Sequence, residues 1–73
     1  MTLHFAELHP GMRVCLPTRP DTRHVGPCLL RMVREFWDGT WEMTYIFAGV
    51  TVTRRFSAAD AERGALPAEE VAV

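Results

Sequence analysis

Eight arginines and no lysine supply the fixed positive side-chain charge of this 73-residue chain. A guanidinium forks onto a carboxylate or phosphate through two parallel hydrogen bonds, and an ammonium does not. The arginine positions are therefore the first place to look for recognition chemistry, although GC-rich coding produces the same usage. Residues 1–56 carry seven arginines against five acids, a net +2, and residues 57–73 carry one against four, a net −3. An overall charge of −1 is far from the strongly basic balance of nucleic-acid binders. Arg19, Arg23 and Arg31 fall in or beside a Pro-rich loop, and Trp37 lies next to the turn dipeptide Asp38-Gly39. An outward tryptophan is a frequent interface anchor and also a stacking platform for bases. Its plainer reading is a ring folded over its neighbours.

Other reactive types offer less. Cys15 and Cys28 are the only cysteines. A hairpin with residue 16 opposite residue 27 would set them across two strands, where a disulfide is geometrically allowed. Two buried thiols are the expectation in a reducing compartment. His4, His9 and His24 form no recognised zinc spacing with them, and a structural zinc wants four ligands. No nucleophile–base arrangement and no Gly-rich phosphate cradle is present, so no catalytic residue, metal or cofactor is expected. Glu35 and Glu42 read as a solvated sheet face, and Asp38 as a turn residue.

These residues must be positioned mainly by a meander from Cys28 to Phe56. Asp38-Gly39 predicts a two-residue hairpin loop, because a type I′ turn needs positive φ at both centres, and Ala48-Gly49 is a weaker match. Leu30, Met32, Phe36, Trp41, Met43, Tyr45, Phe47, Val50, Val52 and Phe56 alternate with mostly polar neighbours, the period of half-buried strands. Two-residue loops predict inward rows Leu30-Phe47-Val50, Met32-Tyr45-Val52, Arg34-Met43-Arg54 and Phe36-Trp41-Phe56. They put Glu35, Glu42 and Arg55 in one outward row, where Arg55 relieves two opposed acids.

One inward row breaks the apolar rule. Arg34 and Arg54 flank Met43, and an unpaired buried guanidinium is too costly to be simple core. Three arrangements meet the difficulty. A β-bulge turns one or both arginines to solvent; the pair lies at an open end beside Trp41, Phe36 and Phe56 and faces an anion; or an acid such as Glu7 or Asp60 pairs with them.

Before the meander, Met12–Leu16 reads as a short strand and Pro17–Pro27 as a long loop. After it, Ser57-Ala58-Ala59-Asp60 reads as a capping box opening one or two helical turns, with Gly64 as the stop. Val71–Val73 is the expected closing strand. At this length one domain over residues 1–73 is expected, with a thin core, since even about 60 residues bury only about 60% of their unfolded surface. A 48% hydrophobic content still supplies one. No apolar run approaches the ~18 residues of a membrane span, and Met1–Phe5 has no secretory pattern. A cytoplasmic location and no membrane association are expected.

The order of short strand, long loop, three-stranded meander, helical turn and last strand resembles the SH3-like small β-barrel, from Pro10-Gly11-Met12-Arg13-Val14 to Val71. Lead-ins of the form Pro-Gly-x-Arg-Val recur in its KOW- and Tudor-like members, which bind RNA, DNA or proteins. The resemblance implies an all-β fold: a five-stranded SH3-like small barrel with one short helical turn before the last strand. Ala6-Glu7-Leu8-His9 lacks the Tyr-rich segment of SH3 domains that grip Pro-rich ligands. The Val-Gln-Ile-Tyr run of the barrel-type plasmid dihydrofolate reductase has no counterpart at Val50-Thr51-Val52-Thr53.

The expected function is a small non-enzymatic interaction module binding a protein partner, including a second copy as a homodimer. The alternative is a nucleic-acid-binding barrel using Trp37, Arg19, Arg23, Arg31, Arg34, Arg54 and Trp41. A further alternative is an oligomeric enzyme or enzyme subunit with a site between copies. Size alone suggests a phage, plasmid or mobile cassette.

Overall fold

Two hairpin loops set the register of the sheet, and they differ by one residue. The computed structural model describes residues 2–18 and 23–68. Strands β1 (Arg13–Pro17), β2 (His24–Glu35), β3 (Trp41–Phe47), β4 (Val50–Phe56) and β5 (Leu66–Pro67) pair antiparallel in the order β4-β3-β2-β1-β5. A 3₁₀ turn (Phe5–Glu7) precedes them, and helix α1 (Ala58–Arg63) lies between β4 and β5. The chain is all-β with one short helix.

Between β3 and β4 the connection is the two-residue loop expected. Ala48 and Gly49 have φ of +52° and +79°, the two positive values of a type I′ turn. Phe47 then opposes Val50, Tyr45 opposes Val52, Met43 opposes Arg54 and Trp41 opposes Phe56, all as predicted.

Between β2 and β3 the loop has three residues, Trp37-Asp38-Gly39. Phe36 N–H donates to Thr40 O at 2.8 Å and Gly39 N–H to Phe36 O at 3.1 Å, with Gly39 at φ +86°. This is the three-residue hairpin in which glycine takes the positive-φ position. The Asp38 carboxylate holds it closed, accepting from Thr40 N–H at 3.1 Å and from the Thr40 hydroxyl at 2.6 Å.

The extra loop residue moves β2 by one position. Glu35 opposes Trp41, Arg34 opposes Glu42, Val33 opposes Met43 and Met32 opposes Thr44. A bulge then inserts Arg31, so that Leu30 opposes Tyr45 and returns to the core. Four expected rows change accordingly. The row through Met43 is Val33-Met43-Arg54, and Phe36 leaves the row of Trp41 and Phe56. Leu30 joins Tyr45 and Val52, and Met32 faces the Thr44 row. The outward charged row is Arg34-Glu42-Arg55, in which opposite signs alternate instead of two acids meeting.

The core is Phe5, Leu8, Val14, Leu16, Cys28, Leu30, Met43, Tyr45, Phe56 and Ala65. The 3₁₀ turn drops Phe5 into the concave face, edge-on to Trp41 at 5.7 Å and to Phe56 at 5.5 Å between ring centres. Helix α1 carries the capping box read from sequence. Asp60 N–H donates to Ser57 Oγ and Ser57 N–H to Asp60 Oδ2, both at 3.1 Å. Gly64 ends the helix at φ +70°, where a Cβ would lie 2.6 Å from Leu3 O. Glycine is required there because Leu3 and Ala65 exchange backbone bonds of 2.7 and 2.9 Å.

Two boundaries differ from expectation. β2 begins at His24, so Pro27 lies within a strand; a bulge between Val14 and Leu16 accommodates the irregular pairing there. The last described strand is Leu66–Pro67, paired with Cys15 and Val14, while the expected strand Val71–Val73 lies outside the described residues. Among the described residues the sheet has two edges, β4 and β5. Side chains bridge the open side. Arg54 Nη2 donates to Pro17 O at 2.8 Å, Arg63 donates to Thr18 O and Arg23 O at 2.8 and 2.9 Å, and His24 Nε2 donates to Gly64 O at 3.0 Å.

Candidate binding site at the β2–β3 hairpin

The one-residue shift that corrects the register also builds a surface. With Arg34 on the outer face, Phe36 two residues on points the same way, and Arg55 of β4 reaches it across Glu42. The Arg55 guanidinium carbon lies 3.9 Å from the Phe36 ring centre and that of Arg34 lies 5.1 Å away. Both are within the range of a cation–π contact, worth about 0.5–1 kcal/mol at an exposed site. Arg55 Nη2 also donates to Thr40 Oγ1 at 3.1 Å. A chain of contacts thus runs Arg34–Phe36–Arg55–Thr40–Asp38, and the loop it braces carries Trp37, which is 98% exposed.

Hydrogen bonds from the Thr40 hydroxyl and amide, helped by the Arg55 charge, hold the Asp38 carboxyl below its ordinary pKa. The loop is therefore fixed in its ionised form at neutral pH. On the other side of Arg55 lies a shallow recess of about 580 Å³ lined by Thr40, Arg54, Arg55, Phe56, Ser57 and Asp60. Asp60 is only 3% exposed and its carboxylate is committed to the α1 cap.

The predicted site residues divide. Trp37 and Arg34 lie on the same hairpin, Trp37 on its loop and Arg34 on its outer face. Arg54 remains on the inward row, half-buried, with its guanidinium over Phe56 at 4.4 Å and bonded to Pro17 O. The three arrangements offered for the arginine row thus split between its members: Arg34 turns to solvent, and a main-chain carbonyl serves Arg54. Trp41 is half-buried against Phe5. Arg31 is exposed at its bulge, six positions along β2 from Trp37, and Arg23 is exposed near Thr18. Arg19 lies outside the described residues. Simple alternation places Phe36 in the core and Arg55 in a solvated row. The signal that identifies them is the alternative three-residue reading of Trp37-Asp38-Gly39.

Both cysteines are buried and free. Cys28 Sγ donates to Val25 O at 3.4 Å, and burial, with the Cys15 thiol nearby, pushes the Cys28 pKa to about 11. Burial also raises Cys15. Neither is a thiolate at neutral pH, so neither has nucleophilic character. Among the described residues, no group of three His, Cys, Asp or Glu side chains comes together to hold a metal, and no helix is long and apolar enough to cross a membrane.

Comparison with protein-family models, with curated proteins and with solved structures finds no match for this chain.

Proposed function

We propose that this chain is a small interaction module of SH3-like barrel layout that binds a protein partner through the β2–β3 hairpin, with Trp37 as the anchor. The observation that carries the reading is the 98% exposure of Trp37 on a loop whose every turn is hydrogen-bonded. A large aromatic ring presented to water on an ordered loop offers apolar area with no backbone left to order on docking, a property of interface hot spots. The local charge favours a protein. Arg34, Arg54 and Arg55 are matched by Glu35, Asp38 and Glu42 on the same hairpin and strand. The barrel layout draws support from the side chain of Arg54, which ties β4 to the end of β1 across the open side.

Trp37→Ala should keep the far-UV and thermal signature of the parent and lose a partner captured from the native host. Capture unchanged in that variant removes Trp37 from the site. One observation favours nucleic acid as a second reading, the alternation of Arg34, Phe36, Trp37 and Arg55, a pattern suited to phosphate and stacked base. That reading requires retention of oligonucleotides that weakens steeply with salt.

A further inference from the structure

We infer that the free edge of β4 takes an extended, acidic segment of the partner as an added strand, with its carboxylates meeting Arg55 and Arg54. The inference rests on the protein-binding reading and names the chemistry of what is bound.

Three observations carry it. The first is the edge itself. β4 ends the strand order and pairs with β3 in an unbroken ladder from Phe47↔Val50 to Trp41↔Phe56. In an antiparallel ladder the backbone groups of successive residues point alternately to the partner strand and away from it. A two-residue turn makes the flanking pair, Phe47 and Val50, hydrogen-bonded, so Thr51, Thr53 and Arg55 present their N–H and C=O groups outward. No other described strand pairs with that side.

The second is the make-up of the edge's first half. Sheet edges are ordinarily blunted by proline, lysine, a bulge or an inward charge. On β4 the inward charge is Arg54, near the strand's end, while Val50-Thr51-Val52-Thr53 before it has β-branched residues at all four positions, and Val50 is 59% exposed. This stretch suits strand addition.

The third is charge. The charged residues of β4 are Arg54 and Arg55, both lining the recess at its end, where the Asp60 carboxylate is already held by Ser57 N–H. A guanidinium has five donors, and one described bond on each leaves others for an incoming carboxylate. A second copy of the chain meets this need poorly. Two-fold pairing centred on Thr53 would set Arg55 against Thr51 and Arg54 against Val52, with no acid in reach along the added strand. An acidic segment of a different protein supplies it.

The test is an amide NMR titration of the whole chain with three short synthetic peptides: one alternating glutamate and valine, its lysine–valine counterpart, and the glutamate peptide N-methylated at alternate residues. The expected result is that the glutamate peptide shifts the Thr51, Thr53 and Arg55 amides. The lysine peptide should bind about tenfold more weakly, the scale of one charge-assisted contact, and N-methylation should abolish the shifts. Because the modification is on the peptide, no variant need fold. Unmoved β4 amides at millimolar glutamate peptide, equal binding of the N-methylated or lysine peptide, or a dimer in light scattering that occupies the β4 edge without peptide each overturn the inference. Partner capture lost in Trp37→Ala with β4 amides unmoved overturns strand addition alone; β4 binding with capture indifferent to Trp37 supports it and counts against the proposed anchor.

Discussion

The two hairpins share strand β3 and end in the same residue, glycine, yet they are different devices. Ala48-Gly49 closes with the fewest residues a hairpin uses, carries no titratable group and leaves the register where simple alternation puts it. Trp37-Asp38-Gly39 adds one residue, recruits Asp38 and Thr40 to close it, and changes the face of everything along β2 as far as the Arg31 bulge. One added residue removes Arg34 from the core face, turns Phe36 outward beneath two guanidiniums and lifts Trp37 into water. The lesson is that a loop length, rather than any side chain, decides where this chain places its candidate binding residues.

The largest effect should come from the strand both hairpins share. Met43→Ala empties a fully buried position opposite Val33 and Arg54 and should cost about 2–5 kcal/mol, read from chemical denaturation. Deleting Trp37 leaves Phe36 opposite Thr40 across Asp38-Gly39, so the deletion should keep Arg34 opposite Glu42. Interstrand NOEs that instead set Arg34 against Met43 would break the comparison. Next in size are the two glycines. Gly39→Ala and Gly49→Ala should each cost about 1 kcal/mol through positive φ, and by similar amounts, because an added Cβ meets nothing closer than 3.9 Å at either position. Unequal losses would show that one turn relaxes to another type.

Acidification should separate the hairpins without mutation. The Asp38 pKa is depressed in the folded chain, so its contribution is present above the ordinary carboxylate pKa and lost as pH falls through the lower folded value. The Thr40 amide should move in that acidic window while the Ala48 and Gly49 amides stay fixed. Neither hairpin governs the alkaline limit. Cys28 is raised from 9.0 to about 11, so the unfolded chain loses its thiol proton first and stability should fall as pH rises through that interval. Cys28→Ala should flatten that part of the profile in pH-dependent denaturation.

Much of this was legible in the residues. Strict alternation across Ala48-Gly49 predicts all four inward pairs of β3 and β4, and Ser57, Asp60 and Gly64 predict α1 with its cap and stop. The β2 register was not, because Asp38-Gly39 satisfies two loops at once: the centre of a two-residue turn, and the last two positions of a three-residue one. The compensating bulge at Arg31 leaves no sequence mark of its own, since Leu30 and Val33 are apolar under either pairing. Pro27 reads as the end of a loop because proline offers no N–H to a ladder, yet it occupies an irregular pairing with β1. Trp37 as a site residue survives any register, whereas Phe36 and Arg55 depend on the loop count.

The smallest effect on stability carries the most weight. Trp37 and Val50 are the exposed large apolar residues of the described chain, one in the first loop and one beside the second. Replacing either with alanine should change stability by about 0.5 kcal/mol or less, as for surface positions generally. The direct measurement is partner capture by Trp37→Ala and Val50→Ala side by side, with circular dichroism confirming that both fold. The account predicts that capture is lost with Trp37→Ala and retained with Val50→Ala; capture that survives Trp37→Ala would contradict it.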